Sequence, residues 1–372
     1  MLTPCKGCLF DPNIISKPFQ NGGLKRFLLL LQINFEKVGK TEIQQLFDKF
    51  SKVTAVVIGD AMVDSYLWGK VDRVSPEAPI PIVSVTKKEN RLGGAANVSL
   101  NLQALGATPL LFSITGDDDK GRRFRKLMEK NNLSTEGIFI DPHRITTVKS
   151  RIISGGQHIA RVDEESTDFV DSDLELLIFN AIKRTIDSKK VDVIIFVDYD
   201  KGVITPDLFR KVHAVAREKK IPVAVDPKKR NFGIYENIDL FKPNFKEFVE
   251  GTGLPISKGD LETLKKAAEE YKKEKSFRYI FITLSELGVF LSNSVSKTYY
   301  PAQIRYIADV SGAGDTVLSV AGLCLASGVE PALMALLANV AGGLVCEKVG
   351  VVPIDRAILL QELEKIDFNI LP

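Results

Sequence analysis

Residues 53–58 read Val-Thr-Ala-Val-Val-Ile, an almost unbroken apolar run closed by Gly59-Asp60. Neither face of such a run alternates with polar residues, so a strand buried on both sides is predicted. Ahead of it, residues 42–50 place Ile43, Leu46, Phe47 and Phe50 on one helical face. Further strands are predicted at 110–114, 193–197, 223–225, 240–241, 279–283 and 289–291. Helical patterns fall at 97–105, 122–130, 173–186, 206–219, 246–251, 260–273, 314–326 and 331–348. Strands alternating with helices of this length predict an α/β fold. Its central sheet is mostly parallel, with helices on both faces and right-handed crossovers.

Two stretches break the alternation. Residues 80–86 and 148–162 mix apolar and polar positions and lead into no helix. They predict a small separate sheet, open on one face, taken from about 70–92 and 144–163. Such a β lid serves as a flap over a site or as a dimer contact. No repeat or low-complexity linker divides residues 42–372, which read as one domain. Residues 1–41 lack periodicity and are expected to form a poorly ordered extension.

Composition narrows the function classes. Hydrophobic residues at 45% and charged residues at 26% exclude a collagen or a largely disordered chain. Lys+Arg 50 against Asp+Glu 47 leaves +3, too little to drive binding to nucleic acid or a membrane surface. The longest apolar run of the N-terminal region, 27–31, is far short of a membrane span and lacks a cleavage site after it. Four cysteines in 372 residues are no disulfide framework, so a cytoplasmic setting is expected. Cys5-x-x-Cys8 has no second ligand pair nearby, and Gly39-Lys40-Thr41 lacks the earlier glycine of a P-loop. The three histidines, His143, His158 and His213, are scattered, which argues against a Ser-His-Asp triad or a histidine metal centre.

The sharpest chemistry lies in Asp309-Val310-Ser311-Gly312-Ala313-Gly314-Asp315-Thr316, which runs into a helix. Glycines at a helix N-terminus let backbone N–H groups approach an anion, and the dipole favours negative charge there. Asp315 at the same end could take a proton from a hydroxyl attacking a phosphate. A glycine turn with an acidic first-turn residue is also a common structural device, and spacing alone does not separate the two. A second cluster, Gly93-Gly94-Ala95-Ala96-Asn97, opens another helix, with Asn97 as a possible cap. Two such starts suggest a cleft for two ligands.

Together these motifs resemble the ribokinase-like (PfkB-type) sugar kinases. Residues 309–315 look like that family's C-terminal signature and 93–97 like its N-terminal one. Asn244-Phe245-Lys246-Glu247 resembles its Asn-x-x-Glu element. The resemblance spans roughly residues 44–366. Gly59-Asp60-Ala61-Met62-Val63-Asp64, residues 73–79, 198–202 and Asp226-Pro227-Lys228 are similar to the D-glycero-β-D-manno-heptose-7-phosphate kinase branch. Many relatives of that branch carry a C-terminal nucleotidyltransferase with a two-histidine motif. No histidine follows His213 here, so a stand-alone kinase is expected.

The resemblance implies ATP, Mg²⁺ and a sugar phosphate as ligands; the apolar faces of the strands around 80–85 and 151–153 separately predict a homodimer through the β lid. It makes Asp315 the base for the C1 hydroxyl, with Gly312, Ala313 and Gly314 amides as an anion hole. Asn244 and Glu247 would hold the Mg²⁺–phosphate end of ATP. Thr283, Glu286 and Gly288 would lie along the nucleotide, with Asn339 near the adenine. Asp64, Gly93, Gly94 and Asn97 would face the sugar. Asp309, with carbonyls near Lys348 and Gly350, would bind a monovalent cation such as K⁺. Lys201 and Arg73 are expected at the 7-phosphate, where a dianion needs cationic partners. Ser285 and Val310 depart from the glycine and threonine common in the family. The general reaction asks no raised pKa of Asp315. Other sugar or nucleoside kinases of the family, and a non-catalytic sugar-binding regulator, are the alternative readings.

Overall fold

The structure, a computed structural model, describes residues 40–366. The expectations for residues 1–39, including the Cys5–Cys8 pair, lie outside the described residues.

Nine strands form the main sheet, in the order β13-β12-β11-β10-β9-β8-β1-β4-β5. The strands at its centre are β1 (Thr54–Gly59), β8 (Val193–Val197) and β4 (Thr108–Gly116). Towards one edge lie β9 (Val223–Asp226), β10 (Leu240–Phe241) and β11 (Tyr279–Thr283). From β11 through β5 (Ile138–Asp141) every pairing is parallel. Only β12 (Val289–Ser292) and β13 (Lys297–Tyr300) add antiparallel pairings. The central strands are buried along nearly their whole length, as the unbroken apolar runs require. β5 and β13 escaped sequence reading because each has four residues and edges its sheet.

Helices cover both faces. On one side lie α1 (Lys40–Phe50), α2 (Ala95–Ala104), α8 (Ala313–Ala326), α9 (Pro331–Val345) and α10 (Arg356–Leu363), whose apolar residues join one core cluster. On the other lie α4 (Ser172–Ser188), α5 (Pro206–Lys219), α6 (Phe245–Thr252) and α7 (Leu261–Glu274). Helix α3 (Asp119–Lys130) buries Phe124 and Met128 in the first cluster. Helix α8 is buried on nearly every side from Asp315 to Leu325. Side chains such as Leu318 and Leu323 each contribute about 1.5–3 kcal/mol on full burial, so the glycine turn before α8 rests on a rigid element.

A second, four-stranded sheet has the order β3-β2-β6-β7. β2 (Ala61–Val74) and β3 (Pro81–Gly94) make a long hairpin. β6 (Val148–Ser154) and β7 (Gln157–Glu164) extend it. It therefore begins at Ala61, directly after β1, rather than near residue 70. Its distal half is exposed, with Val74, Ile80 and Val85 open to solvent, and Val162 on β7 is exposed nearer its base.

Candidate active site

Open α/β sheets gather ligands where strand order reverses, outside the carboxyl ends of the strands. Here the chain winds from β1 to β4 on one side and resumes at β8 on the other. Asp60 follows β1, Asp198 follows β8 and Asp226 ends β9, so three carboxyl groups meet at that reversal. Asp60 is buried and accepts the backbone N–H groups of Tyr199 (2.8 Å), Lys201 (3.0 Å) and Val203 (3.1 Å). It thus ties the loop after β8 to β1. Burial raises its pKa although those bonds oppose the rise. Asp198 is pushed up to about 6 by burial, and then by Asp60.

Asp315 stands in the first turn of α8 and is buried. Its Oδ2 accepts from Asn97 Nδ2 at 2.8 Å and its Oδ1 from the Tyr199 hydroxyl at 2.7 Å. Burial pushes its pKa up to about 7, against the two hydrogen bonds and Lys242. The neighbouring Asp226 adds to the rise. The general reaction does not require this rise; it follows from closure by α2, α8 and the 199 loop, which removes the water that would hold the charge. Gly312 is the N-cap, with φ 82°, and a Cβ there would come within 2.9 Å of Asn97 Nδ2. The two glycine clusters are therefore halves of one site. Asn97 lies inside α2 and spans to Asp315; Gly94 is the N-cap instead.

Two lysines flank this acid. Lys242 is buried and lies 3.1 Å from Asp226 Oδ2. Its Nζ is the nearest group to the open side of Gly314, 3.8 Å from where a Cβ would stand. Asp226 is pushed up to about 6 by burial, with Lys242 opposing and Glu247 adding to the rise. Its Oδ1 is buried without a hydrogen-bond partner. Lys228 pairs with Glu247 and sits 5.2 Å from the Tyr199 ring centre. Asn244 and Glu247 form a reciprocal capping box at the start of α6, each bond 2.8 Å. Thr283 bridges to Asn244 at the end of β11.

At the other end of the cleft, Asp64 on β2 pairs with Arg151 on β6. Burial raises its pKa despite that guanidinium. A Cβ on Gly93 would lie 2.0 Å from Asp64 Oδ2, so only glycine lets β3 end here. Asp309 Oδ1 accepts Ser311 N–H and Oδ2 accepts Gly350 N–H, both at 2.9 Å. Burial pushes that carboxyl up, but these bonds outweigh it and hold its pKa low.

Other predicted residues stand differently. Gly288 adopts φ 99° and abuts the Tyr300 carbonyl, so the turn between β11 and β12 demands it. Ser285, the position where the resemblance expects glycine, takes a left-handed φ of 55°. Glu286 is largely exposed and pairs with Lys258. Asn339 donates to the Pro301 carbonyl at 2.9 Å. Lys201 lies beside the strand reversal, its ammonium 2.8 Å from Glu165. Arg73 is not brought to the site. It is exposed on the distal hairpin, nine residues beyond Asp64, which is about 30 Å along a strand. Sequence reasoning singled out the motifs that hold Tyr199, Asp226 and Lys228 but gave these residues no role, and it missed Lys242 and Arg151 as site residues. A lysine directly after the apolar pair Leu240-Phe241 was the one available signal for Lys242.

A buried acid at a glycine-capped helix start, with two ammonium groups alongside, suits transfer of a phosphoryl group to a small hydroxyl compound. The comparisons agree. The model of the pfkB family carbohydrate kinases matches residues 53–356. The bifunctional protein HldE of Geobacter metallireducens is 40% identical over 313 residues, 84% of this chain and 63% of its own length. That of Syntrophotalea carbinolica is 39% identical over the same shares. Phosphofructokinase-2 from Escherichia coli, solved with potassium, superposes with a TM-score of 0.69 at 16% identity, covering 84% of this chain and 98% of that one. The chain belongs to the pfkB family and is a carbohydrate kinase of ribokinase-like fold. It spans about 63% of the length of these curated relatives.

Proposed function

We propose that this kinase transfers the γ-phosphoryl group of ATP to the C1 hydroxyl of D-glycero-β-D-manno-heptose 7-phosphate, giving the 1,7-bisphosphate on the route to ADP-heptose. The observation that carries the chemistry is Asp315, a buried carboxyl held by Asn97 and Tyr199 beside the Gly312–Gly314 turn. The choice of sugar rests on similarity to the HldE proteins across most of this chain.

Asp315 takes the hydroxyl proton as the oxygen bonds to phosphorus. Amides of the 312–314 turn and Lys242 stabilise charge on the transferring group. Asp64, Gly93, Gly94 and Asn97 face the sugar, and Thr283, Glu286, Gly288 and Asn339 the nucleotide. The unpartnered Asp226 Oδ1 and Glu247 fit a hydrated Mg²⁺ arriving with the phosphates. That ion would neutralise phosphate charge. Asp309 is the proposed K⁺ ligand, although Gly350 meets it through N–H. Lys201 is proposed at the 7-phosphate, exchanging Glu165 for the ligand. Arg73 has no such role within one chain.

A panel of sugar phosphates, scored by ATP consumption and product mass, tests the assignment. Selective turnover of the 7-phosphorylated heptose is expected. Equal activity on the unphosphorylated sugar, or preference for a hexose phosphate, overturns it.

Tyr199→Phe removes a donor that lowers the Asp315 pKa. The acid limb of the kcat/KM profile, set near pH 7, should then move to higher pH while the alkaline plateau changes less. An unmoved limb would show that Asp315 is not the titrating base. The exposed apolar residues of the small sheet support a homodimer through that sheet. Light scattering at micromolar concentration should give twice the 41.1 kDa chain mass, and Val74→Asp with Ile80→Asp should return it to one.

A further inference from the structure

At the opposite end of the main sheet lies a cavity of about 890 Å³. Its walls are the segments that lead into β9, β10 and β11, so it opens at their amino ends, away from Asp315. That volume lies within the range of small-molecule sites. Five cations and two carboxylates line it. Arg278 is met by Asp239 at 3.7 Å and Lys272 by Glu269 at 3.0 Å. Arg217, Lys220 and Lys273 have no acidic partner among the described residues. The side chains of Asn237, Ser276 and Ser294, also in the wall, make no hydrogen bond there. Lys220, Asn237 and Ser276 hold left-handed φ angles, 56°, 54° and 58°, those of Lys220 and Ser276 being the geometry that ends α5 and α7. Arg217 and Lys273 also complement helix C-termini, but that role does not require them to ring one concavity with Lys220.

We propose that this cavity binds a small molecule carrying two or more phosphate groups. Three unpaired cations supply the charge, and neutral donors between them supply hydrogen bonds to the remaining oxygens. Ile221 and Pro222 provide an apolar wall for the rest of the ligand. The site is separate from the catalytic end, so its occupant would be an effector and not the substrate.

The test is calorimetric titration of the whole chain with inorganic tripolyphosphate. The catalytic end also attracts phosphate, so the titration is repeated with Lys228→Ala. Two charge-matched triple variants separate site from net charge: Arg217→Ala/Lys220→Ala/Lys273→Ala, and Arg123→Ala/Lys126→Ala/Lys130→Ala on exposed α3. One binding event should survive Lys228→Ala and the α3 variant and weaken at least tenfold in the cavity variant. Retention in the cavity variant, equal weakening in both triple variants, or no event that survives Lys228→Ala overturns the proposal. Sugar kinase turnover should be unchanged in the cavity variant, so failure here is distinct from failure of the assigned reaction.

Discussion

Asp315→Asn is expected to lose about 10²–10⁴-fold in kcat, the usual loss for a general base, with ATP affinity nearly intact. Asparagine keeps the shape and can still meet Asn97 and Tyr199, so the loss reports the proton acceptor. The same variant should melt at higher temperature above pH 7. The folded pKa of about 7 lies above the unfolded value near 3.8, so the folded state holds its proton more tightly. The stability this confers is present below pH 4 and is lost as pH rises through 7. Asparagine escapes that loss, by a limit of about 4 kcal/mol at alkaline pH. Melting curves at pH 5 and pH 8.5 check it: the variant's advantage should be several degrees at the second and less than half of that at the first. Near-normal turnover, or a uniform loss of stability at both pH values, would remove Asp315 from the centre of the site.

Lys242→Met should lower kcat about 10²–10³-fold, the scale of losing one preorganised charge-stabilising donor. The buried ammonium lies against Asp226 and beside Gly314, where the transferring group would pass. Removing it also leaves the Asp226 carboxyl without its cation. Breaking a buried pair costs about 3–5 kcal/mol when the survivor stays charged. Asp226, already raised to about 6, can instead take up a proton. The destabilisation should therefore be mild at pH 5 and grow as pH rises through the further raised pKa. Lys242→Met combined with Asp226→Asn should recover stability at pH 8 without recovering turnover. Denaturant unfolding at two pH values and initial rates decide it. Recovery of activity in the double variant would mean that Lys242 serves packing alone.

The chain's own patterning determined the architecture. The unbroken apolar runs at 53–58, 193–197 and 279–283 can be satisfied only by strands buried on both faces, and the helical stripes between them supply the cover. It also determined that residues 93–97 and 309–315 are glycine-led helix starts, since such signals are local. Only the tertiary structure decided that these are one site. Asn97 and Asp315 are 218 residues apart and Tyr199 and Asp315 are 116 apart, distances over which no periodicity carries information. The raised carboxyl of Asp315 was likewise invisible, because desolvation depends on what packs over a group and not on its neighbours in the chain. The same reason separates the two basic residues assigned to the sugar phosphate. Lys201 is held at the strand reversal by the Asp60 carboxylate on its backbone, whereas the length of the β2–β3 hairpin carries Arg73 out into solvent.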